Sequence, residues 1–480
     1  TPSGGQYWTD IFYPGLSCGR GMERDASRLP GWSRRRLLTA AAITAIAGCG
    51  SDGDGDGDGA DGAGTTPATE TPPAGDGYDH PTPDGDPDWD VPADSPRVDV
   101  QVETLVENLE IPWDISFTGD GELYLTERTG RVVTFDSGEV SEIVRPQDAI
   151  DAGSLKPGSD EEPWWVDGGE GGTLGIAVHP EYPDEEFVYV YYTTTGGQEN
   201  RVVRYDVSVS DPAGTEETLI EGIPANKYHN GGRLRFGPDD NLWVTTGDAG
   251  APERARDPSF LGGKVLRVTP EGEAPPDNPD LDGDPRVFTY GHRNPQGIDW
   301  LPDGVPVASE HGPTHRDEVN VLLPGGNYGW DVARGGPDDD QWESYAAHDE
   351  FVPPIVNTGP GTGWAPTGAT FYTGSDLPAW RNRFVVGGLI SQSIWVVTLS
   401  PPGGELPPLD DDAQRYDASW LHPDYTATAH RLLHDELGRV RHVAQSPSGE
   451  LYAITSNRDG RAKGEFPRET DDVLVRLTTS

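Results

Sequence analysis

The chain has 480 residues, with 82 acidic against 35 basic ones and a formal net charge of −47. Such a field repels nucleic acid and anionic membrane surfaces, so neither is expected as a partner. The acids are spread along the whole chain, which reads as a solvated surface suited to high salt and to a halophilic, haloarchaeal source, rather than as a local acidic binding device.

Two cysteines, Cys18 and Cys49, lie near the N-terminus, so the remainder holds no disulfide framework and no cysteine-rich metal site. Residues 1–49 read as an export signal, with 1–21 upstream of the expected start at Met22, the single methionine. Ser33-Arg34-Arg35-Arg36-Leu37-Leu38 precedes an apolar stretch, Thr39 to Ala47, too short to span a bilayer. The order resembles a twin-arginine signal. Ile46-Ala47-Gly48-Cys49 resembles a lipobox with Cys49 as the lipidated residue, so the expected location is the outer face of the cell membrane, held by a lipid anchor alone. Residues 50–96 contain SDGDGDGDGADGAG from residue 51 and continue rich in Pro, Thr and Asp. They bury no apolar area, and a disordered acidic tether is expected.

From residue 97 to 480 one unit recurs: a short strand, a turn rich in Gly, Asp and Pro, a second strand, and a third after a further turn. The first strand–turn–strand pieces are ISF/GDGE/LYLT, GIAVHP/EYPDEE/FVYVYYT, LRF/GPDDN/LWVTTGD, GIDWLPDGVPVASEHG, GATFYTG/RNRFVVGGL and HVAQSPSGELYAITS. Period-two apolar alternation marks strands, and no helix-length amphipathic segment stands out. Six such units predict an all-β, six-bladed propeller of four-stranded antiparallel blades. The strand RVDVQVETLV (97–106) is placed to complete the last blade and close the ring. A β-sandwich or two smaller β-domains is the competing reading.

The polar residues that such a fold does not need gather in four glycine-flanked segments: Lys227–Arg233, Thr246–Asp248, Tyr290–Gly297, and Ser309–Pro313 with Asp317 and Glu318. Glycines let backbone approach a ligand closely. A lone histidine in a loop is usually structural. A His, an Asp and an Arg-Asn pair on successive blades converge on one axis.

These segments resemble the glucose/sorbosone dehydrogenase family, the soluble aldose dehydrogenases that use pyrroloquinoline quinone (PQQ). The resemblance covers roughly residues 98–480 and rests on PWDISF, GELYLTERTGRV, GEGGTLGIAVHP, HNGGRLRFGPD, LWVTTGD, GGKVLRV, YGHRNPQG, SEHGP, DEVN and GGNYGW. GHRNPQG together with HNGGRLRFGPD carries most of it. The resemblance implies oxidation of an aldose to a lactone by hydride transfer from C1 to the quinone. It makes His229 the general base, Asp248 its orienting partner, Arg293 the cation at the quinone oxygens and Asn294 a hydrogen-bonding neighbour. Arg439 and Arg441 match the pair that binds PQQ carboxylates. Glu170 stands near a sugar-contacting position. A calcium ion is implied at the backbone carbonyls of Gly312 and Pro313 together with PQQ itself, and a further metal site at Glu318 or Asp317. An external or membrane-associated carrier would accept the electrons.

The sequence departs from the pattern at Gly387–Ser393, where the family often has a lysine for a cofactor carboxylate and this chain has no basic residue. A non-catalytic glycan- or protein-binding propeller that has lost PQQ binding is the alternative. A calcium-dependent lactonase-type hydrolase would need an acidic ring on the axis that these motifs do not supply.

Overall fold

The hairpin that opens each blade shows how the sequence builds the repeat. In the computed structural model, Gly121 N–H donates to Thr118 O and Thr118 N–H to Glu122 O. The same pair of bonds recurs at Gly237–Asn241, Leu301–Val305 and Ser446–Glu450. In each, the fourth residue is left-handed: Gly121 (φ 98°), Asp240 (56°), Gly304 (86°) and Gly449 (88°). This is a type I turn closed by a left-handed residue, the form that suits three-residue hairpin loops and explains the recurrent Gly or Asp.

The structure describes residues 89–136, 138–152 and 169–479. Cys49 and the expected signal, and the tether as far as residue 88, lie outside them. Six sheets follow one another along the chain. Blade I spans Pro112–Val144, blade II Thr173–Pro224, blade III Leu234–Tyr290, blade IV Pro295–Asn357, blade V Pro366–Leu432, and blade VI begins at Val440. The first strands of neighbouring blades pack side by side, except that the first strand of blade IV meets the second strand of blade III, and the ring closes where 440–445 meets 112–117. Blade VI takes its outermost strand from the other end of the chain: Val100–Val106 pairs antiparallel with Leu474–Thr479. The predicted six-bladed ring and its closing strand are therefore present. Two details differ. Blade V has a fifth, outer strand, Ala413–Tyr416, and blade IV carries a small parallel pair, Ala333–Gly335 with Glu343–Ser344. Among the described residues there is no α-helix, only four short 3-10 turns.

The core is the set of seams between blades. Middle strands such as FVYVYYT (187–193) are buried on both faces, because a neighbouring blade covers each side. Trp243 of blade III meets Phe288 at 4.5 Å edge-on, and Ile298, Ala308 and Leu322 of blade IV close that seam. An aromatic pair of this kind adds about 0.5–1.5 kcal/mol beyond its buried area. Trp364 stacks on Trp395 at 4.2 Å between blades IV and V. On the axis the side chains are polar. Asp114 of blade I is fully buried and takes Arg233 and Arg235 of blade III and His442 of blade VI. A buried carboxylate is tolerable only with such partners.

One boundary is corrected. Composition assigns residues 89–96 to the tether, but they run along blade V. Trp89 packs edge-on to Phe371 at 5.5 Å. Asn382 Nδ2 donates to Asp90 O (2.9 Å), Arg383 Nη2 to Asp94 O (2.6 Å) and Trp380 Nε1 to Pro96 O (2.9 Å). Backbone carbonyls and one tryptophan hold this segment, and a composition reading does not see carbonyls.

Candidate active site

In an antiparallel blade the start of strand one and the end of strand two lie at the same end. Glu170, His229, Arg293 and Arg439 immediately precede or open first strands. Arg128, Asp248, His311 and Asp459 follow second strands. All eight therefore sit on one face of the ring.

His229 occupies a left-handed position (φ 59°), held by its own N–H, which donates to Glu170 Oε2 at 2.7 Å. Its ring Nδ1 donates to Asp248 Oδ1 at 2.7 Å. That tautomer leaves the lone pair on Nε2. Asp248 is 1% exposed; Trp330 Nε1 donates to its Oδ2 (2.7 Å) and Gly250 N–H to its Oδ1 (2.8 Å). Burial pushes its carboxyl up, but the charge and hydrogen bond of His229 and the Gly250 amide hold it below the usual value. A buried carboxylate oriented onto a histidine, with the far nitrogen turned outward, is the arrangement of a general base.

Arg293 lies beside this pair, its guanidinium 5.6 Å from the Trp330 ring centre. Its Nη1 donates to His311 O (3.2 Å), while its buried Nε has no hydrogen-bond partner. His311 Nε2 is likewise buried without one. Burial pushes His311 down to about 3, so its ring is neutral. Asn294 is fully buried, and its Oδ1 accepts from Gly231 N–H at 3.0 Å. The structure thus places Asn294 under the His229 turn, where it braces that loop.

Arg439 and Arg441 converge on one acid that the sequence reading missed. Asp459 Oδ2 accepts from Arg439 Nη2 (2.7 Å) and Nε (3.0 Å), and lies 3.5 Å from Arg441 Nη2. Its Oδ1 takes the backbone N–H of Arg461 at 3.0 Å. Arg461 in turn pairs with Glu170 at 3.1 Å. Burial would raise Glu170, but Arg461 first, then His229 and His311, hold it far below the usual carboxylate range. Arg128 is buried and donates to the carbonyls of Gly169 and Gly171. Burial pushes Arg128 down to about 10 and Arg441 to about 9, with Asp459 opposing in each case; all stay charged near neutral pH.

Beneath Arg293 lies a second unpredicted network. Glu310 Oε1 accepts from Arg293 N–H and from Arg334 Nη2, both at 2.6 Å, and its Oε2 accepts from His292 Nδ1 at 2.8 Å. Arg334 Nη1 lies 2.9 Å from Glu318 Oε2. Arg128, His311 and Trp330 sit inside motifs singled out above without a role assigned. Asp459 and Arg461 lie in RDGRAKGE, which reads as an ordinary polar loop.

Of the residues expected to bind calcium, Asp317 lies against Gly312 and next to Pro313, but the side chains of Asp317 and Glu318 are engaged within the protein. Asp317 Oδ2 accepts from the amides of Trp364 (2.6 Å) and Ala365 (2.9 Å), and its Oδ1 from Gly312 N–H (2.9 Å). Glu318 is spent on Arg334, Tyr345 and Asn357. Arg316 Nη1, a cation, approaches Pro313 O at 3.4 Å. Asp317 lies just before the strand Glu318–Val321, with its oxygens on the amides of Gly312, Trp364 and Ala365, while Glu318 faces Arg334. Among the described residues no three His, Cys, Asp or Glu side chains form a metal-binding group.

The sequence model of the glucose/sorbosone dehydrogenase family matches residues 109–464. A crystal structure of a putative oxidoreductase (glucose dehydrogenase) from Thermus thermophilus is 35% identical, covers 79% of this chain and 99% of its own, and superposes with a TM-score of 0.61. The PQQ-bound aldose sugar dehydrogenase of Streptomyces coelicolor is 30% identical over 81% of this chain and 99% of its own, with the same TM-score. The aldose sugar dehydrogenase YliI of Escherichia coli is 27% identical, covering 79% of this chain and 95% of its own. The family match runs through all six blades and takes in every residue of the site just described, and the chain belongs to the glucose/sorbosone dehydrogenase family.

Proposed function

We propose that this protein oxidises an aldose at C1 with PQQ as its cofactor. The observation that carries the reading is the His229–Asp248 pair, which points a free Nε2 into a face otherwise lined by arginine. The PQQ-bound relative and the aldose dehydrogenase relatives support the cofactor and the substrate class.

The residues present fit the cofactor. PQQ is flat, carries three carboxylates and offers ring oxygens as acceptors. Arg128, Arg439, Arg441 and Arg461 face Asp459 and Glu170, so positive charge exceeds negative there. The orphaned Nε–H of Arg293 and the unpartnered His311 nitrogen lack the polar neighbours that a ligand would provide. Arg439, Arg441 and Arg293 would hold the cofactor, which supplies a quinone able to take two electrons and a hydrogen from the sugar.

The protein's own part is to move one proton and to fix charge. Asp248 keeps Nδ1 protonated, so Nε2 is the atom that removes the C1 hydroxyl proton. As His229 becomes positive, the ionised Asp248 stabilises it, and the Trp330 and Gly250 N–H groups keep Asp248 ionised. Arg293 places positive charge where negative charge develops. Glu170 has both oxygens committed, one to the His229 amide and one to Arg461, and so acts on the sugar through the base. The side chains of Asp317 and Glu318 are engaged within the protein, and no step is assigned to calcium.

Export by the twin-arginine segment, lipidation at Cys49 and delivery of electrons to a membrane-side carrier complete the proposal. They are supported by the order of basic, apolar and small-residue segments before Cys49. The test is to add PQQ to purified protein in high salt, follow quinone absorbance, and assay dye reduction with a panel of aldoses. Sugar-dependent dye reduction is expected. An unchanged quinone spectrum with no turnover rejects the reading.

A further inference from the structure

The turn at Gly387–Ser393 contains no basic residue, yet it is stitched to a loop that does. Gln392 Oε1 accepts from the backbone N–H of Lys463 at 2.9 Å, and Leu389 O accepts from Arg439 Nη1 at 3.3 Å. The loop from Ser456 to Asp472 therefore lies directly against the lysine-free turn. It carries Arg461, whose side chain is 32% exposed, whereas Arg439 and Arg441 are 5% and 6% exposed. Asp459 sets all three: one oxygen holds the two buried guanidinium groups, the other the backbone of Arg461.

We propose that Arg461 is the third cationic contact for the carboxylates of the bound quinone, supplied by the neighbouring loop in place of a lysine on the 387–393 turn. The assignment rests on the PQQ reading above. Arg461 is suited to the task by access. The guanidinium groups of Arg439 and Arg441 are committed to Asp459, Leu389 O, Ser456 and Gln296, while Arg461 spends Nη1 on a single carboxylate, Glu170, and keeps open surface. A planar guanidinium can meet a second carboxylate without leaving the first. Arg461 would then join the cofactor to Glu170, and through Glu170 to the backbone of His229.

The experiment is a PQQ titration of the full chain without sugar, read by quenching of tryptophan fluorescence, on wild type, Arg461→Lys and Arg461→Ala. The trimethyl ester of PQQ serves as a probe without carboxylate charge. Arg461→Ala should weaken PQQ binding about tenfold or more, the loss expected for one charged hydrogen bond. Arg461→Lys should recover most of it, and the ester should bind wild type and Arg461→Ala alike. Equal PQQ affinity in wild type and Arg461→Ala overturns the assignment. So does an equal loss for acid and ester, which would make the role one of loop structure. A wild type that binds no PQQ fails differently: it removes the cofactor reading and this contact with it.

Discussion

The two sides of the site follow opposite electrostatic plans. On the His229 side every group that orients the base is answered within the protein: Nδ1 by Asp248, Asp248 by Trp330 and Gly250, the backbone by Glu170. On the arginine side, the acids that face Arg128, Arg439, Arg441 and Arg461 are Asp459 and Glu170, two against four, and Arg293 keeps an unmatched N–H. The first side is set before any ligand arrives. On the proposed function, the second is completed by one. Chemistry and grip should therefore come apart under mutation.

The largest separation is expected from His229→Ala. Loss of a general base lowers kcat by about 10²–10⁴-fold, and PQQ affinity should stay near wild type in the fluorescence titration. Parallel loss of affinity would show that the two sides are one unit. The next largest effect lies beneath Arg293, where charge is balanced without a ligand. Glu310→Gln strips Arg334 and His292 of their shared carboxylate, and breaking a buried pair of this kind costs about 3–5 kcal/mol. Urea unfolding in high salt would read it; a change below about 1 kcal/mol would mean the network contributes no more than a surface pair.

Trp330→Phe keeps the ring and removes the N–H that donates to Asp248. A lost hydrogen bond to a charged group costs about 1.5–3 kcal/mol, seen as a fall in kcat with little change in PQQ binding. Without that donor the Asp248 carboxyl rises, so the acid limb of the pH–rate profile should move to higher pH. An unmoved limb would give Trp330 a packing role alone.

The smallest effect concerns Glu318. Burial, with Glu310 adding and Arg334 opposing, raises it from 4.5 to about 7, since one arginine serves two carboxylates. A carboxyl whose value is raised on folding favours the folded state most at low pH. Its contribution is full below 4.5, declines as pH rises to about 7, and is absent above. Glu318→Gln should flatten the stability–pH curve between pH 5 and 8 relative to wild type, the variant losing less stability as pH rises through that range. Identical curves would place Glu318 ionised throughout.

Much of this architecture is legible in the chain because the repeat carries its own turn chemistry. Thr118–Glu122, Gly237–Asn241 and Ser446–Glu450 use the same two hydrogen bonds, and each leaves a Gly or Asp in the sequence. The His229–Asp248 approach is legible too, since the two precede and follow strands of one blade. What stays hidden depends on partners far away in the chain. Arg461 and Glu170 are 291 residues apart, and nothing local in RDGRAKGE marks it as part of a site. The part played by Asp317 is hidden for a related reason. Asp317 looks like a ligand in a line of text, but three backbone amides from two segments already claim its oxygens. The 89–96 segment reads as tether because its Asp and Pro content matches the tether, while its hold on blade V comes from carbonyls.

The closing strand has a consequence for how the protein is made. Glu103 on Val100–Val106 and Arg476 on its partner strand form an ion pair across 373 residues of sequence. A ribosome working from the N-terminus exposes one half of that sheet long before it makes the other. The sixth blade therefore cannot be completed until residues 474–479 have been made, and until then the first strand is an open edge looking for a mate. A nascent chain in this condition is vulnerable to pairing with its neighbours, and the glutamates on that strand and just beyond it, Glu103 and Glu107, are charges that keep such copies apart.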